Sequence, residues 1–471
     1  MRYTTRRSGS PLPVLLALIT VLAAGGADYA GADEPGDAAV RSESAATQAA
    51  ATDEAHVPAT GGQRAFRAGI ASGEGAKELH DYIAVALKRS PRLSLARSRY
   101  AAAAERASRA GGLPDPVVSY GHYFREVETR VGPQRERYGL RQHLPLFGKL
   151  SLRRKAAEAR ADAERERLRA VELAVVVDVT RAYADCAYLA KAAGITSERL
   201  SLLSSLERVV RSLYASGEAS YSDLMSAQVS VARVENELET LEDEQIAASA
   251  RLAAAVGSRP DRTLMALPVI PDAVVPELTG ASSTELTFNP ELGALDFEAE
   301  ASRLERGLAV RGYLPDLTLG FDYIVTDEAA MDVGDSGKDP FVGVASINLP
   351  LWLGQNASRV READERLNAA ERARENKANV LLAELESALA GARGLQRRER
   401  LYDERLIPAA LQSVAASEAS YRAGETDFDA LIRAHETALE FQLSRARVRA
   451  DLLTSAADIG RLTGADYSLT E

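Results

Sequence analysis

The chain has 471 residues, 46% of them apolar and only 6% aromatic, and it carries a net charge of −11. Acidic and basic residues are interleaved and no polybasic tract occurs, which excludes nucleic acid as a partner: an acidic chain is repelled by a polyanion. The single cysteine, Cys186, excludes an intrachain disulfide and any multi-cysteine metal site, and its place in an apolar helical stripe reads as a core position.

Residues 1–27 read as a secretory signal. Arg2, Arg6 and Arg7 precede the apolar stretch 12–24, which is too short to span a bilayer, and Gly25-Gly26-Ala27 offers small residues for cleavage. Residues 28–76 hold few large apolar side chains and read as a disordered leader. A helical pattern then runs from about Lys77 to Ala110, broken at Ser90-Pro91 and ended by Gly111-Gly112. Two strands are expected within about 116–144, the second stopped by Pro145.

A very long helix should follow, from about Leu150 to Tyr214, with the stripe Leu168, Val171, Val175, Val179, Ala182, Cys186 and Leu189 in steps of three and four. A tight turn leads to a returning helix, so that 150–256 form one helical hairpin and 77–257 one repeat. Its seam is Leu224, Ala227, Val231, Val234, Leu238 and Leu241. Residues 258–288 are proline-rich and read as a linker. The second repeat, 289–464, gives strands within about 316–349, where Leu317, Leu319, Phe321, Tyr323 and Val325 alternate with more polar residues. Its hairpin covers 355–463 with one long helix from about Gln355 to Tyr421, and 465–471 form a tail. No later segment has about 18 consecutive apolar residues, so no transmembrane helix is expected.

The order is a duplication. Leu113-Pro114-Asp115 returns as Leu314-Pro315-Asp316 (314 − 113 = 201), and Leu144-Pro145-Leu146-Phe147-Gly148 returns as Leu349-Pro350-Leu351-Trp352-Leu353-Gly354 (349 − 144 = 205). Tyr214-Ala215-Ser216-Gly217-Glu218 returns as Tyr421-Arg422-Ala423-Gly424-Glu425 (421 − 214 = 207). A unit of this size is a structural half, far longer than a solenoid repeat.

Two strands per half make four, too few to close a barrel, and an open edge is not tolerated in lipid. An apolar strand face on a secreted chain therefore points to a barrel shared between chains. Three copies would supply twelve strands, an even number within the outer-membrane range. Phe147 and Trp352, each just past the proline that stops a strand, suit a membrane-interface belt and contact with outer-membrane lipid.

The Leu-Pro-Asp opening, the Leu-Pro-Leu closing and the Tyr-x-x-Gly-Glu tip, each present twice around strand pairs, resemble the TolC-type outer-membrane efflux proteins over about Leu79 to Gly464. The resemblance implies a mainly α fold with membrane β-barrel strands: tandem repeats of helix, strand, strand, long helix and helix, forming a homotrimer with a 12-stranded β-barrel and a periplasmic α-helical barrel. It implies a passive exit duct in the bacterial outer membrane, docked to a periplasmic adaptor and through it to an inner-membrane pump of RND type. No enzyme activity and no cofactor are implied.

The tip residues Tyr214, Gly217, Glu218, Ser220, Tyr421, Gly424 and Glu425 are the expected adaptor contacts. Asp223 matches an acidic position that latches the closed entrance in the family. The family's aspartate ring falls on Ala430 and Arg433 here, so Asp427 and Asp429 become the candidates for a negative ring, with Arg433 a latch partner. Gly112-Leu113-Pro114-Asp115-Pro116 and Phe147-Gly148-Lys149 with Arg153 and Arg154 resemble the heavy-metal cation branch, while type I secretion and drug efflux stay open. A periplasmic adaptor is the competing reading, but it should carry one hairpin between β-rich domains. His56, His80, His122, His143 and His435 are scattered and none sits in a metal-ligand pair.

Overall fold

The structure, a computed structural model, describes residues 71–259, 268–275, 280–330, 334–423 and 425–465. The expected signal segment, most of the expected leader and nearly all of the expected tail lie outside them. Strand β1 (Ala71–Ser72) leads into α1 (Ala76–Arg89) and α2 (Pro91–Ala110), which part at Ser90, where Pro91 begins the second helix. Next come β2 (Val117–Val127), β3 (Gln134–Leu144), the very long α3 (Lys149–Ser216) and the returning α4 (Tyr221–Val256). The connection between the copies holds β4 (Asp272–Ala273), and the second copy follows as α5 (Pro290–Val310), β5 (Leu317–Thr326) and β6 (Phe341–Ile347). It ends with α6 (Leu353–Leu401), a π-helical turn (Tyr402–Leu406), α7 (Ile407–Arg422) and α8 (Phe428–Thr463). The small strands pair with each other, Ala71 opposite Ala273, and so pin the start of the first copy to the connection between the copies.

Helix α3 holds 68 residues, about 100 Å at 1.5 Å per residue. It packs on α2, α4, α5 and α8, while α6 packs on α5 and α8. The apolar seams are buried as their spacing requires: Val175, Val179, Cys186 and Leu189 of α3 join Leu79, Ile83 and Leu93 of the first two helices and Leu252 of α4 in one core. Burial pushes the Cys186 thiol up to about 11, with Asp185 adding and Arg251 opposing, so the thiol stays protonated and unreactive.

The long helix expected over 355–421 is not continuous. A π turn at Tyr402–Leu406 interrupts it just before Pro408, whose missing N–H and ring clash forbid an unbroken α-helical ladder. The first copy, without a proline there, stays α-helical through Lys149–Ser216.

The main sheet runs in the order β2-β3-β5-β6, antiparallel throughout. Alternation gives it two chemically distinct faces. One carries Phe321 stacked on Phe341 at 5.5 Å between ring centroids, Tyr120 beside Tyr138 at 5.3 Å, and exposed Val118, Leu319 and Ile347. The other carries Asp322, only 2% exposed, which accepts a hydrogen bond from Arg137 at 2.5 Å and lies 3.6 Å from Arg141. Gly139 makes room for it, because a Cβ there would sit 2.6 Å from Asp322 Oδ1 and 2.4 Å from Ser119 Oγ.

Candidate functional site

The first hairpin tip is a turn closed by backbone at one end and by side-chain caps at the other. Gly217 adopts φ 79°, the left-handed conformation that ends a helix at least cost in glycine. Glu218 N–H then donates to Leu213 O at 2.8 Å. Ser220 begins α4 with a reciprocal capping box: Asp223 N–H donates to Ser220 Oγ at 3.1 Å and Ser220 N–H to Asp223 Oδ2 at 3.0 Å. Tyr214 stacks obliquely on Tyr221, their rings 5.9 Å apart. Tyr214, Gly217, Glu218 and Ser220 are all exposed.

The second tip repeats the pattern 207 positions on. Glu425 N–H donates to Ser420 O at 2.9 Å, the counterpart of the Glu218 bond. Asp427 caps α8, its Oδ1 accepting from Ala430 N–H at 2.8 Å, and Arg433 approaches the same oxygen at 3.9 Å. Glu425, Asp427 and Asp429 are exposed, Tyr421 is half-buried, and Gly424 lies outside the described residues.

The tips differ at the residue after each cap. Phe428 is 1% exposed and packs with Ile432 into a cluster built from Leu203 and Val210 of α3 and Leu224, Ala227 and Val234 of α4. Its counterpart in the first copy, Tyr221, is 62% exposed. Phe428 thus closes the gap between the two hairpins of one chain, and Tyr421 lies against it with ring centroids 5.9 Å apart. Burial raises the Tyr421 phenol above its ordinary range, and the nearby Asp223 carboxylate raises it further. Asp223 therefore lies close enough to the second tip for its charge to be felt there, as well as capping its own helix.

Higher up the same contact, Arg199 of α3 donates to Glu436 of α8 at 3.0 Å and lies 3.6 Å from Glu237 of α4. His435 of α8 sits 3.4 Å from Glu418 of α7. Burial lowers the His435 pKa, Glu418 opposes that, and Arg199 lowers it again. Phe428, Ile432, Arg199 and His435 were not among the expected site residues. For Phe428 the sequence did hold a signal: Asp427-Phe428-Asp429-Ala430 stands where the first copy has Ser220-Tyr221-Ser222-Asp223, the place where the two tips differ.

At the opposite end of α3, Leu146 to Lys149 turn the chain from sheet to helix. Phe147 adopts φ 58°, rare for a bulky residue, and Gly148 φ 70°. The turn delivers Lys149 into the sheet–helix junction, where its Nζ donates to Leu314 O and Asp316 Oδ1, both at 2.8 Å. The closing motif of the first copy is therefore joined to the Leu-Pro-Asp opening of the second by a largely buried ion pair. Phe147 and Trp352 stay exposed at 52% and 73%, both beside the sheet end. No helix among the described residues is long and apolar enough to cross a membrane, and no three His, Cys, Asp or Glu side chains among them gather as a metal-holding group.

Comparison with known proteins agrees with this architecture. A family model described as outer membrane efflux protein matches residues 82–258 and 281–465. No curated protein matches the chain in sequence. Among solved structures, the outer membrane protein VceC from Vibrio cholerae is 22% identical, with 83% of this chain and 97% of that one covered at a TM-score of 0.70. The open state of the MtrE outer membrane channel of Neisseria gonorrhoeae is 18% identical, covering 83% and 91% at 0.69. CusC, described as forming a transmembrane channel, is 16% identical, covering 87% and 96% at 0.71. These likenesses show a shared fold, and the family match falls on both copies across most of the length. The chain belongs to the outer membrane efflux protein family, the TolC-type channels.

Proposed function

We propose that this protein is the passive exit duct of a tripartite efflux system: a homotrimer whose sheets close one barrel in the outer membrane and whose hairpins form a tube in the periplasm. The observation that carries this is the four-stranded sheet. It presents an exposed apolar face, a polar face holding Arg137, Arg141 and Asp322, and two unpaired outer strands, β2 and β6. Such a sheet is stable in lipid only when its edges are paired, and three chains supply twelve strands. One chain carries two hairpins, each preceded by a strand pair, which does not fit an adaptor with a single hairpin.

The hairpin tips are the proposed entrance and adaptor-docking surface, through Tyr214, Gly217, Glu218, Ser220, Tyr421, Gly424 and Glu425. Asp223, Asp427, Asp429 and Arg433 are the proposed gate groups. Phe147 and Trp352 are the proposed membrane-interface aromatics. The pump served is of RND type and the cargo heavy-metal cations, a reading supported by the sequences Gly112 to Pro116 and Phe147 to Lys149.

The test combines location, assembly and cargo. The protein should be recovered from outer-membrane fractions as a heat-labile trimer and give stepwise conductance in planar bilayers. A strain lacking it should become sensitive to divalent heavy metals. Recovery as a soluble periplasmic monomer overturns the channel reading. Sensitivity to drugs with unchanged metal tolerance overturns the cargo alone.

A further inference from the structure

We propose that β6 of each chain pairs with β2 of the next copy in one fixed antiparallel register, Ser346 opposite Ser119 of the next copy. The proposal rests on the trimeric reading above and names the surface through which the chains join.

The register follows from the duplication as the structure displays it. Within the first strand pair, Val117 lies opposite Arg141, Ser119 opposite Gly139 and Gly121 opposite Arg137. Moving the first strand on by 201 and the second by 205 turns these into Thr318 opposite Ser346, Gly320 opposite Val344 and Asp322 opposite Val342, which are the pairs observed in the second copy. The sequence offsets are therefore also structural offsets, with no slip between the two strand pairs.

The chain also contains one junction from the end of a copy to the start of the next, the β3–β5 ladder, with Arg141 opposite Gly320 and Leu140 opposite Phe321. Applying the same offsets, on by 205 for β3 and back by 201 for β5, converts it into β6 against β2 of the next copy. Ser346 then meets Ser119, Ile347 meets Val118, Ala345 meets Tyr120 and Val344 meets Gly121.

The chemistry of the two edges fits. Ile347, Val118 and Tyr120 are 60%, 62% and 60% exposed, and this register sets them together on the apolar face. Ser346, Ser119 and Gly121 fall on the face of Asp322. A slip of one residue would put Ser346 against Val118 and mix the faces, so only even slips compete. The seam differs from the internal junction in one respect. Where Arg137 and Arg141 clamp Asp322 inside the chain, the corresponding seam positions are Val342, Ser346 and Gly121. Backbone pairing and apolar contact hold the seam, without an ion pair at these positions.

The test is disulfide formation in the full chain with Cys186→Ala. Directly opposite residues in an antiparallel ladder have Cα atoms about 4.5–5.5 Å apart, within disulfide reach, and each two-residue slip adds about 7 Å along the strand. Ser119→Cys with Ser346→Cys, oxidised in outer-membrane vesicles, should give a covalent three-chain species on a denaturing, non-reducing gel. Ser346→Cys combined with Val117→Cys or with Gly121→Cys should leave mainly monomer. Preferential linking by either of those pairs overturns the register. Absence of all three links in a protein that still runs as a native trimer overturns the proposal and leaves the trimer standing. A monomer in mild detergent overturns the trimeric reading itself.

Discussion

Asp223 does two things with one carboxylate. It accepts the Ser220 N–H in the capping box, and its charge acts on the Tyr421 phenol of the other tip. These roles separate by substitution, because an amide oxygen can accept the backbone N–H while carrying no charge. Asp223→Asn should leave the start of α4 intact. Asp223→Ala should cost about 1 kcal/mol locally, seen as faster amide hydrogen exchange over residues 221–224. Equal exchange in both variants would show that the carboxylate does not cap the helix. The helix ends at this turn were legible in the sequence, since Ser and Gly signal them locally, but Asp223 was expected as a gate latch and not as the capping partner of Ser220. The pairing of Lys149 with Asp316, and of Arg199 with Glu436, was not legible. Those contacts join residues from different copies, and each side chain alone looks like one more charge on a helix-rich surface.

At the scale of elements, the turns decide where the helices end. A side chain at Gly217 would meet no atom within 4 Å, so its φ of 79° is the whole penalty for replacing it. Gly217→Ala should therefore destabilise the tip by about 1 kcal/mol without changing assembly. Limited proteolysis of the tip compared with unchanged trimer yield checks this, and loss of the trimer would place Gly217 in the assembly contacts instead. The strand pairs and hairpins were legible because proline, glycine and period-2 alternation are local signals. The break at Tyr402–Leu406 was not legible: the apolar spacing runs on through Pro408, and the backbone takes up the missing N–H in a π turn between two α-helices.

For the molecule as a whole, the packing between the two hairpins contains a titratable group. His435 lies against Glu418 from α7 and within reach of Arg199 from α3, which itself holds Glu436 and Glu237. Its pKa is below the ordinary 6.5, chiefly through burial, so the unfolded chain takes up the proton first as pH falls. Stability is then full above about 6.5 and declines from there towards the lowered value. The melting temperature should drop on acidification through this range, and His435→Gln should flatten the dependence. An unchanged slope in that variant would assign the acid sensitivity to another group. The overall plan was readable because duplication and barrel closure constrain the whole chain at once, whereas the inter-hairpin contacts depend on side chains that differ between the copies.

That difference bears on counting. In the proposed trimer, six hairpins around a tube suggest six equal berths for a partner. Yet Phe428 fills the crevice between the two hairpins of a chain, while Tyr221, the matching residue, stands open to solvent. In the proposed trimer the rim would then alternate between a filled crevice and one edged by a phenol. A partner that needs the phenol can occupy three positions, and one that fills all six must accept two unlike seats. On the proposed docking, one aromatic pair would set the stoichiometry at the tip.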